Sequence, residues 1–210
     1  MSQSAASQSA IDPARALELL REGNERFLAA RRGEQDLLRQ VRETSGGQWP
    51  FAAVLGCIDS RVPAELVFDQ GIGDLFSARV AGNFANEDIL GSLEYACKVA
   101  GSKLVVVLGH SSCGAVKGAC DGVRLGHLTQ MLEKLRPAVE AVPEPGDPAE
   151  RTSHNPEFVQ AVAEANVRGT VDHILAESEV LRELREAGAI DVVGAMYDVA
   201  SGRVEFLDRA

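Results

Sequence analysis

The chain has 210 residues, 45% of them hydrophobic, enough to bury one sizeable core and leave room for a helical arm. A net charge of -10 and an isoelectric point near 4.9 argue against a nucleic-acid partner or an anionic membrane surface, since both call for clustered Lys and Arg. No apolar run approaches the ~18 residues that span a bilayer, and MSQSAASQSA lacks the basic and apolar stretches of a secretion signal, so the chain reads as cytoplasmic.

Residues 1–12 are polar and are expected to be disordered, with a single domain over 13–210. Asp12-Pro13 places an N-cap before a proline at the first helical position and opens a helix through ARALELLREGNERFLAA, with Leu17, Leu20, Phe27 and Leu28 as its apolar stripe. Gly46-Gly47 breaks the chain before FAAVLGC, whose nearly continuous apolar character suits a strand covered on both faces. A second strand is LFSARVAG, 75–82. EDILGSLEYACKVAG has helical spacing at Ile89, Leu93 and Ala96 and a stop at Gly101, and KLVVVLGH is the most strand-like segment in the chain. Strand, helix, strand in that order implies an α/β fold with a mostly parallel central β-sheet flanked by helices. Further on, 126–137 is helical, AVPEPGDPAERTSHNP is a Pro-rich loop, and 157–187 is a long helical region. IDVVGAMYDV and RVEFL, joined around Ala200-Ser201-Gly202, form a last strand or hairpin. There is no repeat at solenoid period.

Two strands end alike, VLGC at 57 and VVLGH at 110, and ligands bind at the carboxyl ends of parallel strands. Cys57 and His110 can therefore meet, and Cys113, three residues beyond His110, returns to the same side through a tight turn or a first helical turn. Two thiolates and one imidazole suit zinc, and three protein ligands leave one position free for chemistry. Gly56, Gly109 and Gly114 let the backbone turn closely around an ion. A lone Cys at a strand end is more often a small buried hydrophobe, and a purely structural zinc would want a fourth Cys or His. Cys97, in mid-helix, and Cys120 lack the strand-end placement and read as core or surface thiols.

Asp59 and Arg61 follow Cys57 in CIDSR. Two residues past a metal ligand, a carboxylate stands within reach of the ion, and a guanidinium two further on can hold it. With Asp59 turned to Arg61 the open position holds water, whose pKa zinc lowers from ~15.7 to about 7; with Asp59 on the zinc the site is closed. By itself such a pair would be a surface ion pair contributing about 0–1 kcal/mol.

CIDSRVP followed by GHSSCGAVKG resembles the paired motif of the β-class carbonic anhydrases. The resemblance extends to LREGNERF, FDQGIGDLFSARVAGN, ILGSLEYA, NVRGTVDHIL and VVGAMYDVASGRVEF, and so spans nearly the whole chain. It implies one zinc per chain on Cys57, His110 and Cys113, an Asp59 and Arg61 dyad that gates the fourth position, and reversible hydration of CO2 to bicarbonate and a proton by zinc-bound hydroxide. It further implies substrate contacts from Gln48, nine residues before Cys57, and an apolar pocket lined by Phe76, Tyr95 and Ala81, the last standing where members with an open site often carry Val. Val54 stands where the bicarbonate-regulated members have Trp. Arg79 and Tyr197 match the other two members of that second bicarbonate site, but without the Trp the resemblance favours the open, unregulated type. The family's N-terminal helix wraps a neighbouring subunit, a role the segment 13–30 fits, so a homodimer or higher oligomer is expected. His127, His154 and His173 lie outside CIDSRVP and GHSSCGAVKG and supply no evident proton shuttle.

Other readings fare less well. A relative hydrolysing CS2 or COS would share the zinc site, but no loop around the pocket is conspicuously altered. A cysteine phosphatase needs Arg six residues after its nucleophile, whereas Arg61 is four after Cys57 and position 63 is Pro. In GHSSCGAVKG, Ala115 stands where a phosphate-binding loop requires Lys. A non-catalytic zinc-stabilised binding module predicts a closed four-ligand site and leaves Asp59 and Arg61 without a role.

Overall fold

β1, Ala52–Gly56, and β3, Leu104–His110, are buried along their whole lengths, as their unbroken apolar sequences require of strands covered on both faces. The computed structural model describes residues 3–31 and 36–208. With β2, Leu75–Arg79, β4, Asp191–Tyr197, and β5, Val204–Phe206, these strands make one sheet in the order β2-β1-β3-β4-β5. The first four run parallel, and β5 returns antiparallel on β4 through the expected hairpin. The α/β architecture with a mostly parallel sheet is thus as the strand-helix-strand order implied.

Helices cover both faces. One face gathers Ala53, Leu55, Cys57, Val105 and Val107 beneath the long helix α9, Pro156–Glu177. The other gathers Ala52, Val54, Val106 and Leu108 beneath α2, Pro13–Leu28, and the short α4, Ala64–Val67. Because side chains alternate along a strand, Cys57 lies on the α9 face.

α2 begins where the sequence indicates, with the Asp12 side chain accepting from Arg15 N and Pro13 in the first turn. Its buried residues are Ala16, Leu20, Gly23 and Asn24; of the expected apolar stripe Leu20 is buried, Leu17 packs against the same core and Phe27 is half-buried, whereas Leu28 is exposed. Small residues face inward because the helix lies close to the loop after α4, where a β-carbon on Gly23 would stand 1.8 Å from Phe68 O. Asn24 ties the contact together: its Nδ2 donates to Val67 O and Gly202 O, and its Oδ1 accepts from Val204 N. The inner face of the helix expected to wrap a neighbour is therefore occupied within its own chain.

Part of the opening stretch expected to be disordered forms α1, Ala5–Ser9, with Ser4 and Ser7 in a reciprocal cap. Gln8 anchors it, its buried Nε2 donating to Pro50 O and Ala100 O; residues 1 and 2 lie outside the described residues. α3, Leu37–Thr44, and α4 have no counterpart among the expected elements, being only one or two turns long, too few for a periodic pattern to stand out. α5, Glu87–Glu94, continues as a π-helical turn, Tyr95–Val99, and stops before Gly101 at φ 81°. α6, Gly114–Cys120, follows β3, and the helical stretch 126–137 resolves into α7, Gly126–Glu133, and α8, Arg136–Ala141, with Pro137 in the first turn of α8. The region 157–187 likewise divides into α9 and α10, Glu179–Glu186, at Ser178, whose hydroxyl accepts from Leu181 N and donates to Glu94 Oε1.

Gly23→Ala is expected to destabilise the protein by about 2 kcal/mol or more, because backbone cannot yield as a flexible side chain can. Urea denaturation checks this, and an unchanged midpoint would show that α2 does not dock as described.

Candidate metal centre

The centre is assembled by strand register. Gly56 pairs with Leu108, so Cys57 and His110 emerge side by side at the carboxyl ends of adjacent strands. His110 is followed by Ser111 and by Ser112 at φ 55°, a left-handed turn that brings Cys113 back to the first residue before α6. The Cys57 Sγ, Cys113 Sγ and His110 ligand atoms all lie within 4.8 Å of one another, and all three residues are buried. The two sulfurs are 3.9 Å apart. Of the three glycines expected to permit this approach, Gly109 alone is sterically required: a β-carbon there would meet Val167 Cγ2 at 2.4 Å, whereas Gly56 and Gly114 face open space.

The polar surroundings fit a cation. His110 Nδ1 lies 3.0 Å from Ser111 O, a contact that places the proton on Nδ1 and leaves Nε2 with a free lone pair. That Nε2 is buried and has no hydrogen-bond partner among the described residues. Gly82 N donates to Cys57 Sγ at 3.4 Å, and the amides of Ala115 and Val116 face the Cys113 sulfur. The thiol pair is coupled: Cys113 donating to Cys57 pulls the Cys57 pKa down, while the neighbouring thiolate and burial push Cys113 up. Two buried thiolates side by side need a compensating positive charge. A buried, orphaned imidazole nitrogen and two converging sulfurs make a donor set suited to zinc, one ligand short of a closed tetrahedron.

Asp59 and Arg61 stand at the rim. Arg61 Nε and Nη2 donate to Asp59 Oδ1 and Oδ2 at 2.9 and 2.7 Å, and Arg61 N donates to Oδ1 at 3.0 Å. Asp59 Oδ2 also lies 3.9 Å from His110 Nε2. The guanidinium holds the Asp59 carboxyl well below the usual carboxylate range.

The remaining expected residues are not all at the centre. Phe76 meets Tyr95 edge to face, with ring centroids 6.1 Å apart, in a groove shared with Ala53, Ile89 and Leu93. Phe76 is level with Ala53, four residues back from Cys57, or ~13 Å along the strand. Gln48 lies in a different depression, beside Thr44, Gly47, Ile72 and Gly73. Ala81 adjoins Gly82 and is thus beside Cys57. Tyr197 and Val54 are buried in the core on the α2 side of the sheet. Arg79, read from sequence only as a candidate for a second anion site, has its guanidinium on Cys57 O and Asp59 O, a use with no spacing signal to reveal it. Burial pushes the thiol of Cys97 up to about 12 and that of Cys120 up to about 11, in keeping with unreactive packing thiols.

Comparison with known proteins agrees with this geometry. The carbonic anhydrase family model matches residues 52–204. The chain is 38% identical to carbonic anhydrase 2 of Mycobacterium tuberculosis over 94% of each chain, and 37% identical to a carbonic anhydrase of Mycolicibacterium smegmatis over 92% of this chain and 93% of that one. Among solved structures, the β-carbonic anhydrase CafA of Aspergillus fumigatus superposes with a TM-score of 0.70 at 29% identity, over 82% of each chain. A tetrameric β-carbonic anhydrase of Sordaria macrospora superposes with a TM-score of 0.67 at 25% identity, over 80% of this chain and 89% of that one.

Substituting Cys57, His110 or Cys113 by Ala is expected to abolish stoichiometric zinc binding, measured by elemental analysis after dialysis. Cys97→Ala and Cys120→Ala should keep one zinc per chain, and zinc loss in either would place the metal elsewhere.

Proposed function

Because this chain belongs to the β-carbonic anhydrase family, we propose that Cys57, His110 and Cys113 form its catalytic zinc site and that Asp59 and Arg61 govern the position beside the metal. The family's reaction is the reversible hydration of CO2 to bicarbonate and a proton. When bound, zinc supplies the Lewis acidity that makes water a nucleophile near neutral pH. The observation that carries the assignment is a carboxylate clamped by a guanidinium 3.9 Å from an orphaned ligand nitrogen. Held ionised by Arg61, Asp59 is an acceptor only, so it takes a hydrogen bond from the reacting molecule at Oδ2 and fixes that molecule's orientation. Engaged through both oxygens, it is also restrained from turning onto the metal and closing the site. With Val54 in place of an aromatic residue and Arg79 turned onto the loop, the open, unregulated type is favoured.

Gln48, Phe76, Ala81 and Tyr95 are assigned to substrate binding, in a pocket completed by a second copy of the chain. β2 has a neighbour on one side alone among the described strands, and a sheet edge readily pairs with its own copy. A twofold antiparallel pairing centred between Ser77 and Ala78 would set Phe76 of one copy opposite Arg79 of the other. Arg79 is level with Gly56, so the aromatic groove of one chain would reach the level of the other's Cys57. α3 offers further apolar surface, with Leu38 71% exposed beside exposed Leu37 and Val41. The tetrameric relative from Sordaria macrospora supports an oligomer. No helix among the described residues is long and apolar enough to cross a membrane, and the free cysteines suit a reducing, cytoplasmic setting.

Asp59→Asn and Arg61→Ala are each expected to lower CO2 hydration by ~100-fold or more while zinc stays at one per chain. The loss should hold across about pH 6.5–9, since a carboxylate with a depressed pKa remains ionised throughout. Stopped-flow hydration assays decide this, and full activity in either variant removes the dyad from the mechanism. The shared pocket is tested by mixing inactive Cys57→Ala with a Phe76→Ala/Tyr95→Ala double variant: one site of each mixed dimer would be intact, restoring about a quarter of wild-type activity. No recovery on subunit exchange would confine the pocket to one chain.

A further inference from the structure

The loop that carries Cys57 and Asp59 has little packing to hold it. Ile58, between them, is 61% exposed, so the path of the chain is set by hydrogen bonds. Most of these come from the end of β2. Val80 N donates to Gly56 O at 3.1 Å, and Gly82 N to Cys57 Sγ at 3.4 Å. Arg79 makes the widest connection: Nε donates to Cys57 O at 2.8 Å and Nη2 to Asp59 O at 2.5 Å. Asp59 O also accepts from Val62 N, closing the turn that carries Arg61.

The two bridged carbonyls belong to the metal ligand and to the gating carboxylate. A planar guanidinium with donors in a fixed fork can hold both at once and thereby fix the direction of the chain between them, whereas an ammonium is a point donor on a flexible stem. Rotation of either peptide would swing the Asp59 side chain relative to Arg61, whose own amide is bonded to Asp59 Oδ1.

We propose that Arg79 is a positioning residue, clamping the Cys57–Asp59 backbone so that the Asp59 carboxylate meets Arg61 and stays off the metal. This rests on the reading that Asp59 and Arg61 act beside bound zinc. Arg79 touches neither the three ligand atoms nor the carboxylate, and acts through the two carbonyls.

The test uses the full-length, zinc-loaded protein with Arg79→Ala and Arg79→Lys. Three quantities are measured: zinc content, the CO2 hydration rate, and amide hydrogen exchange of the 58–62 segment relative to that of β3. Arg79 is exposed, so neither variant should impair folding. Both are expected to keep one zinc per chain, to lose at least tenfold in kcat, and to exchange at least tenfold faster over 58–62 with β3 unchanged. Millimolar guanidinium should partly restore the rate and the slow exchange of Arg79→Ala. Unaltered exchange over 58–62, full activity in Arg79→Lys, or faster exchange spread equally into β3 would each overturn the proposal. If the wild-type protein failed to hydrate CO2, the catalytic reading would fall separately, and the exchange measurement would still decide whether Arg79 holds the loop.

Discussion

The parallel register between β1 and β3 is the constraint on which the centre depends. With Gly56 opposite Leu108, Cys57 and His110 leave the sheet together, and Cys113 needs only one left-handed residue to join them. A slip of one residue would turn every side chain of β1 to the other face and carry Cys57 from the α9 side to the α2 side. That register is enforced by apolar packing on both faces, from Leu55 and Val107 on one and from Val54 and Val106 on the other. The placement of the three ligands therefore follows from the packing of the sheet. Gly109 shows how closely the helical layer presses on it, since no side chain fits between β3 and α9 at that point.

Charge provides the second organising principle. Two thiols and an imidazole in a dry site favour a dication, which neutralises the pair of thiolates that burial alone would oppose. The balance at the rim runs the other way: Asp59, near enough to become a fourth ligand, is engaged by Arg61 through both oxygens and an amide. Arg79 extends the same logic to the backbone. The chain thus devotes two guanidinium groups to one five-residue loop, one holding the carboxylate and one holding the carbonyls behind it.

How much of this could be read from the sequence depends on the range of the interaction involved. β1 and β3 were legible because a strand buried on both faces is apolar throughout, and the ligands because matched strand ends and a three-residue return are local patterns. The short α3 and α4 were not, since one or two turns give too few repeats for a periodic pattern to stand out. Nor were Ala16, Gly23 and Asn24, which share the inward face of α2 with Leu20 where the helix approaches its neighbours closely. The break at Ser178 rests on one residue capping two helices, a signal obscured by helical spacing on both sides. Gln48, Phe76 and Tyr95 illustrate a different limit: within one chain they lie in depressions away from the three ligands, and the pairing of copies proposed for them leaves no local pattern in the sequence. The contacts of Arg79 were not legible because a side chain bonded to main-chain carbonyls leaves no pattern of side-chain types.

The most direct measurement is CO2 hydration by stopped-flow, with a pH indicator, for the reduced protein before and after zinc is removed and restored. The account predicts a fast rate that climbs between about pH 6.5 and 9, vanishes with the metal and returns with it. Zinc bound at one per chain with no hydration anywhere in that range would contradict it, and would leave the Cys57, His110 and Cys113 cluster a structural site.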